Sequence, residues 1–553
     1  MKIALAQINY HIGNFEENSN KIVLAIKKAK QFKVDLIIFS ELSVCGYPPQ
    51  DLLEQKEFIE QCEKSIHKIA SFSKEIGVIV GGPSINSIPN GKNLFNSAFF
   101  LYDGKIQSVH HKTLLPTYDI FDEYRYFTPN REFNVIKFKK KKIAITICED
   151  LWFDQPFNSS FGKKSLYTIS PMEKLINYQP DFIINIAASP FSYTHEEIKK
   201  NIFIDNAKKY QLPIFYVNQI GAQTELIFEG ESMVVNLKGQ IVDEFKSFEE
   251  DFKVFDLNEI NESNIIKYSS SLPQSSIIEK IHNALILGIK DYFTKMNFQH
   301  AIIGLSGGID SAVTLVLATR ALGRKNLRVL FMPSKFASKH SVTDAVTLAN
   351  NLEVKYDIIN IQSMVERFEK SLQPIFYNLP RDITEENIQA RIRGTLLMAL
   401  SNKFGNILLN TSNKSEAAVG YGTLYGDMNG SLSVLGDVYK SDVYKLARYI
   451  NKNSEIIPLN TITKEPSAEL RPNQNDSDSL PEYGILDKIL FNYIELQKSL
   501  SDIVKAGIDK ELAEKVIRLV NNNEYKRYQT PPILRISSKA FGVGRRMPLV
   551  AKY

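Results

Sequence analysis

The apolar positions of this chain fall into short continuous runs, separated by stretches whose apolar residues recur at helical spacing. In the first half, residues 2–8 read as a strand and 17–33 as a helix with Ile22, Ala25, Ile26 and Ala29 on one face. Residues 35–39 form a second buried run, and others follow at 77–80, 97–101, 143–147, 182–186 and 214–217. Asp103-Gly104 and Lys238-Gly239 sit between short runs and predict hairpin turns. A polar stretch at 258–276, with Ser269-Ser270-Ser271 and Pro273, reads as a linker. A helix at 277–293 leads into an alternation of strands (301–305, 327–332, 356–361, 407–410) and helices (313–322, 341–352, 387–404). The pattern predicts a mixed α/β domain over 1–257 and a doubly wound parallel α/β domain over 277–553.

Composition narrows the class. At 553 residues the chain is too long for one core. With 44% hydrophobic and 23% charged residues it has the balance of an ordinary globular protein. A net charge of +5 is too small to imply a nucleic-acid or membrane partner, and no apolar run reaches the length of a membrane span. The basic block at 139–142 reads as a turn beside a strand. Three cysteines (Cys45, Cys62 and Cys148) suit a reducing compartment rather than a disulfide framework. The apolar run at 1–7 is too short for a signal peptide, so a cytoplasmic enzyme is expected.

The most informative stretch is Gly304-Leu305-Ser306-Gly307-Gly308-Ile309-Asp310-Ser311, which lies between a strand and a helix. Glycines there let backbone N–H groups approach an anion, and the helix start adds its partial positive charge. Asp310 repels a phosphate unless a cation lies between them, which implies magnesium. The spacing is not the Walker pattern. It resembles the S-G-G-x-D-S pyrophosphate loop of the ATP pyrophosphatases, which adenylate a carbonyl oxygen and release pyrophosphate.

Three residues of the first half stand at or after strand ends: Glu41, Lys112 and Cys148. A thiolate attacks an amide carbonyl, a lysine stabilises an oxyanion, and a carboxylate moves the proton. On spacing alone, a lone cysteine after a strand reads first as a small core residue. The surrounding words point further. Phe39-Ser40-Glu41-Leu42, Gly46-Tyr47-Pro48-Pro49, His111-Lys112-Thr113-Leu114-Leu115-Pro116, Phe121-Asp122-Glu123-Tyr124-Arg125 and Ile147-Cys148-Glu149-Asp150 occur in the order of the nitrilase-like carbon–nitrogen hydrolases. Together they resemble the glutaminase half of the glutamine-dependent NAD synthetases. The resemblance implies an α-β-β-α sandwich with Glu41 as general base, Lys112 as oxyanion support, Cys148 as nucleophile and Glu123 as an accessory acid. Tyr118 and Ser189 fall where that subfamily holds glutamine. Where the family usually places a lysine or arginine facing the glutamine carboxylate, this chain has His195, with Lys199 and Lys200 one turn on. Ser40 replaces a usual proline. Cys45 matches no nucleophile position and is expected to be structural.

The second half carries Glu386-Asn387-Ile388-Gln389-Ala390-Arg391-Ile392-Arg393, Thr411-Ser412-Asn413-Lys414-Ser415-Glu416, Gly420-Tyr421-Gly422-Thr423-Leu424-Tyr425-Gly426-Asp427 and Asp437-Val438-Tyr439-Lys440. These words resemble NAD synthetase in particular among the ATP pyrophosphatases. An adenine nucleotide α-hydrolase-like fold is therefore expected. The resemblance implies the 304–311 loop, Thr411 and Lys440 on ATP, and Asp310 and Glu416 at a magnesium ion. It implies Asn387, Glu416, Tyr421, Gly422, Thr423, Leu424 and Lys539 on deamido-NAD. Residues 463–480 are expected to act as a lid. The implied reaction adenylates the nicotinate carboxylate with ATP and amidates it with ammonia from glutamine. The alternative is an amidotransferase with the same two engines and another acyl acceptor. Ammonia must avoid bulk water, so a channel is expected, with a homo-oligomer of two or more copies to build it.

Overall fold

The computed structural model describes residues 1–156, 165–261, 275–377, 379–472 and 474–552. It divides into two units, one built on Met1–Gln223 with Ile227–Gln274, the other on Ser275–Tyr553.

The first unit holds two six-stranded sheets. One has the order Asp251–Asp256, Lys2–Gln7, Leu36–Ile38, Gly77–Ile85, Leu94–Tyr102, Lys105–His111. The other has the order Ile241–Glu244, Met233–Val235, Ile214–Asn218, Phe182–Ala187, Lys141–Ile147, Ile136–Phe138. In each, three central strands run parallel and the flanking strands antiparallel. One hydrophobic cluster takes Leu5, Ile38, Ile79 and Phe100 from the first sheet and Ile145, Ile184, Phe215 and Val234 from the second. Phe100 meets Phe138 edge-on across the two, with ring centroids 5.4 Å apart. The largely apolar central strands follow from this position, since both of their faces are covered. Helices Phe15–Gln31 and Lys56–Ala70 cover the first sheet, and Glu196–Tyr210 lies on the second. Phe15–Gln31 buries Ile22, Ile26 and Ala29, is capped by Asn14 and carries acids in its first turn and lysines in its last. The fold is the nitrilase-like α-β-β-α sandwich. Both expected hairpin turns are present, and the basic block 139–142 forms the turn into Lys141–Ile147, with Lys139 and Lys140 at positive φ.

The expected linker 258–276 begins inside a short helix, Leu257–Asn261, and residues 262–274 lie outside the described ones.

The second unit is a five-stranded parallel sheet with the order Lys355–Ile358, Leu327–Phe331, Ala301–Gly304, Ile407–Asn410, Leu432–Ser433. The chain leaves the central strand in one direction and returns to its other side, so the strand order reverses between Ala301–Gly304 and Ile407–Asn410. That is the doubly wound arrangement, whose ligands gather at the carboxyl ends beside the reversal. Helix Ile309–Leu322 is buried almost throughout, with Val313, Leu315, Val316 and Leu317 fully enclosed. A second cluster joins Lys414–Val419 to Tyr483–Ile494 and Lys510–Asn522 through Ala418, Leu486, Leu490, Val516 and Val520. Sequence reasoning left these later helices unassigned.

Candidate active sites

The first constellation collects at strand ends of the sandwich. Glu41 follows Leu36–Ile38, Lys112 follows Lys105–His111, and Cys148 follows Lys141–Ile147. Lys112 Nζ donates to Glu41 Oε1 at 2.8 Å and to Glu123 Oε1 at 2.9 Å, and all three side chains are buried. Glu41 also accepts from Asn96 Nδ2 at 2.7 Å and from the Ala188 N–H at 2.9 Å. Tyr47 donates to Glu123 at 2.9 Å. One ammonium thus sits between two carboxylates, each held further by neutral donors. Burial disfavours the Lys112 charge, but Glu123 and Glu41 outweigh it and hold its pKa well above the ordinary lysine value. Burial pushes the Glu123 pKa upward, against the pull of Lys112.

Cys148 opens a tight turn, Cys148–Leu151, with φ of 45°. A non-glycine residue held there costs on the order of 1–3 kcal/mol and points to a functional constraint. Asp150 holds the turn in place. Its carboxylate accepts from the N–H groups of Ile147 at 3.0 Å, Thr113 at 2.9 Å and Leu114 at 2.8 Å. It therefore fastens the cysteine turn to the segment carrying Lys112. Burial, then the charge of Glu41, raise the Cys148 pKa well above the usual thiol value against the opposing charge of Lys112. Glu149 accepts from Tyr118 at 2.9 Å, Tyr167 at 2.8 Å and Gln155 at 2.9 Å.

Tyr118 is thereby placed beside the cysteine turn. Ser189 directly follows the Ala188 N–H that binds Glu41, and its own N–H donates to Asn218 at 2.8 Å. His195 occupies the N-cap position of Glu196–Tyr210, with its N–H donating to the Ser192 carbonyl at 3.0 Å. Lys199 is buried between Glu229 and Glu231, and Lys200 is shared by Glu196 and Glu244. Cys45 is fully buried, its thiol directed at the Leu42 and Gly46 carbonyls.

The second constellation lines a cavity of about 330 Å³ at the carboxyl ends of the parallel sheet. Its floor is the 304–311 loop. Gly307 has φ of 85°, and a Cβ there would lie 2.4 Å from the Ser341 carbonyl oxygen, so both conformation and space demand glycine. Ser306 and Ser311 hydroxyls lie 3.1 Å apart and brace the turn into Ile309–Leu322. Asp310 Oδ1 accepts from Asn413 Nδ2 at 2.9 Å. Its Oδ2 accepts from Lys440 Nζ at 2.5 Å, and Lys440 also reaches Glu416 Oε1 at 3.3 Å. Asn413 caps the helix that carries Glu416. Thr411, Tyr421, Glu416 and Lys440 line the same cavity, and so do Lys464, Glu465 and Glu469 of the expected lid. Glu469 accepts from Ser341 Oγ at 2.7 Å and from the Ser338 N–H at 3.2 Å, so that segment rests across the cavity. Asn387 accepts from Thr423 Oγ1 at 2.7 Å, and the Leu424 carbonyl accepts from Arg391. The Lys539 carbonyl accepts from Lys414 Nζ at 2.9 Å, two residues from Glu416.

Comparison with known proteins places both halves of the chain in families. The family model described as carbon–nitrogen hydrolase matches residues 2–260, and that described as NAD synthase matches residues 281–530. A glutamine-dependent NAD(+) synthetase of Synechocystis sp. is 42% identical, covering 100% of this chain and 99% of its own. The chain belongs to the glutamine-dependent NAD(+) synthetases. A family member from Thermotoga maritima is 38% identical over 100% of this chain and 99% of its own. Among solved structures, the glutamine-dependent NAD+ synthetase of Acinetobacter baumannii in complex with ADP superposes with a TM-score of 0.77 at 40% identity. It covers 99% of this chain and 98% of that one.

Within this member of the family, sequence reasoning missed four groups that shape the two sites. Asn96 and Tyr47 orient Glu41 and Glu123, Asp150 ties the cysteine turn down, and Asn413 orients Asp310. Tyr47, Asp150 and Asn413 lay inside quoted motifs, so their presence was visible while their partners were not.

Proposed function

We propose that this chain makes NAD+ from deamido-NAD, ATP and glutamine, releasing AMP, pyrophosphate and glutamate. Residues 1–257 supply the glutaminase and 277–553 the synthetase. The observation that carries the first half is one ammonium, Lys112, shared by Glu41 and Glu123 next to a thiol on a strained strand-end turn.

In the glutaminase, the Cys148 sulfur attacks the glutamine amide carbon while Glu41 takes the thiol proton. A thiol pKa raised by burial favours this coupled transfer over a thiolate formed beforehand. Lys112 faces the developing oxyanion. Glu41 returns the proton to the departing nitrogen, ammonia leaves, and a thioester remains. Water, deprotonated by Glu41, then releases glutamate and restores the thiol. Tyr118, Ser189 and His195 hold the substrate. Lys199 and Lys200 are poor candidates for its carboxylate, since each already sits between two glutamates.

In the synthetase, the 304–311 loop and Thr411 bind ATP, and Asn387, Tyr421, Gly422, Thr423, Leu424 and Lys539 bind deamido-NAD. The nicotinate carboxylate displaces pyrophosphate from the ATP α-phosphorus, and ammonia displaces AMP from the acyl adenylate. Asp310 and Glu416 fit magnesium: Mg2+ takes one or two carboxylates together with phosphate oxygens, and here two carboxylates converge on one ammonium that occupies a cation's place. When bound, the metal offsets polyphosphate charge and eases departure of pyrophosphate. We place the enzyme in the cytoplasm as a homo-oligomer of two or more copies, with ammonia carried between sites out of bulk water.

The test is AMP and NAD+ formation from deamido-NAD and ATP, with glutamine or ammonium as nitrogen source. Both sources should support turnover. AMP release that does not depend on deamido-NAD would contradict the assignment and favour another acyl acceptor.

A further inference from the structure

Lys440 has one of the most constrained ammonium groups in the molecule. Its side chain is only 3% exposed, and Nζ lies 2.5 Å from Asp310 Oδ2 and 3.3 Å from Glu416 Oε1. The Tyr483 ring lies beneath it, 5.2 Å from Nζ. The two carboxylates come from different segments, the start of Ile309–Leu322 and the first turn of Lys414–Val419. Lys440 itself starts a third, Lys440–Ile450. Asp310 has no slack on its other side, since Asn413 holds Oδ1 at 2.9 Å. The ammonium therefore occupies the position between two carboxylates that a divalent ion would take.

Two half-buried carboxylates facing one cavity repel each other, and a cation between them relieves that repulsion. Lys440 supplies that cation from within the chain. A divalent ion approaching the pair without a nucleotide meets carboxylates whose charge Lys440 already offsets, and must displace or share space with an ammonium. A polyphosphate changes this balance. It offers Lys440 new anionic partners, and its own oxygens complete the coordination that magnesium prefers.

Resting on the ATP-pyrophosphatase reading of this cavity, we infer that Lys440 is an internal counter-ion that keeps the Asp310–Glu416 pair closed to free divalent metal and yields it when a polyphosphate arrives. Metal and nucleotide then bind as partners, and metal alone binds poorly. Lys440 is a positioning residue before nucleotide binds and an ATP ligand afterwards.

The probe is Mn2+ alone, counted as free ion by electron paramagnetic resonance with full-length protein at pH 8 and no nucleotide. Wild type should bind it weakly. Lys440→Met removes the charge and keeps most of the length, and should bind Mn2+ at least tenfold more tightly. Adding Asp310→Asn to that variant should abolish the gain. Lys440→Arg, which keeps the charge, should behave like wild type. Lys440→Gln carries the same expectation as Lys440→Met and replaces it if that variant does not fold. Equal affinity in wild type and both neutral variants, within threefold, would overturn the inference. So would a gain that survives Asp310→Asn. Failure of the underlying reading shows differently: wild type would then exchange no labelled pyrophosphate into ATP in the presence of deamido-NAD.

Discussion

The two active sites keep their charges in opposite ways. In the sandwich, Glu41, Lys112 and Glu123 are locked together, the first two with side chains at 0% exposure. In the parallel sheet, Asp310, Glu416 and Lys440 face a cavity, with the carboxylates 17% exposed. The first arrangement suits chemistry done wholly by side chains, where the oxyanion support and base must be in place before substrate enters. The second suits chemistry in which ligands bring much of the charge, so the protein's own ions pair provisionally. A change in the first site should therefore remove chemistry outright. A change in the second should alter how ligands and charge are assembled.

The largest effect is expected from Glu41→Gln. Glutamine-supported NAD+ formation should fall by roughly a thousandfold, since a positioned general base contributes about 10²–10⁴. The ammonium-supported rate should stay within about twofold. Stopped-time assays with each nitrogen source check this, and equal losses would break the separation between the two sites. Lys112→Met is a poorer probe, because it leaves two buried carboxylates uncompensated at a cost of about 3–5 kcal/mol.

Asp310→Asn should reduce deamido-NAD-dependent pyrophosphate exchange by on the order of a hundredfold, in line with loss of one charge-stabilising group. Glutamine hydrolysis should persist. Near-normal exchange would remove Asp310 from the metal site.

A smaller effect is expected at His195. His195→Ala should raise the glutamine KM about tenfold, the scale of one charged hydrogen bond, with little change in kcat. A KM that rises in Lys199→Ala or Lys200→Ala instead would move the role to a lysine.

How much of this was legible in the sequence depended on how local the information was. The 304–311 loop was readable because its whole logic, strand, glycine turn and helix start, lies within one short stretch. Glu41, Lys112 and Cys148 were readable as residues after strand ends, and their contacts confirm that the topology gathers such ends. What escaped was partnership across distance. Nothing near Lys199 signals that Glu229 and Glu231 enclose it, and putting Lys440 and Asp310 on one ATP did not show that they pair directly across 130 residues. The helices Tyr483–Ile494 and Lys510–Asn522 carry ordinary amphipathic spacing. Their role in supporting Lys414–Val419 appears only once the fold packs them together. The strand Leu432–Ser433 is two residues long, too short to leave any periodic trace.

The central claim is that one chain divides its labour between a cysteine that frees ammonia and a cavity that spends it. Cys148→Ala tests it most directly. The substitution deletes one sulfur from a buried position, so the fold should persist. NAD+ should be measured for wild type and variant side by side, with glutamine and with an ammonium salt. The account predicts that the variant loses glutamine-supported synthesis by about a thousandfold or more and keeps ammonium-supported synthesis at the wild-type rate. Its ammonium-supported rate should rise with pH below the ammonium pKa, since only neutral ammonia attacks. Glutamine-supported synthesis by Cys148→Ala at the wild-type rate would contradict the account.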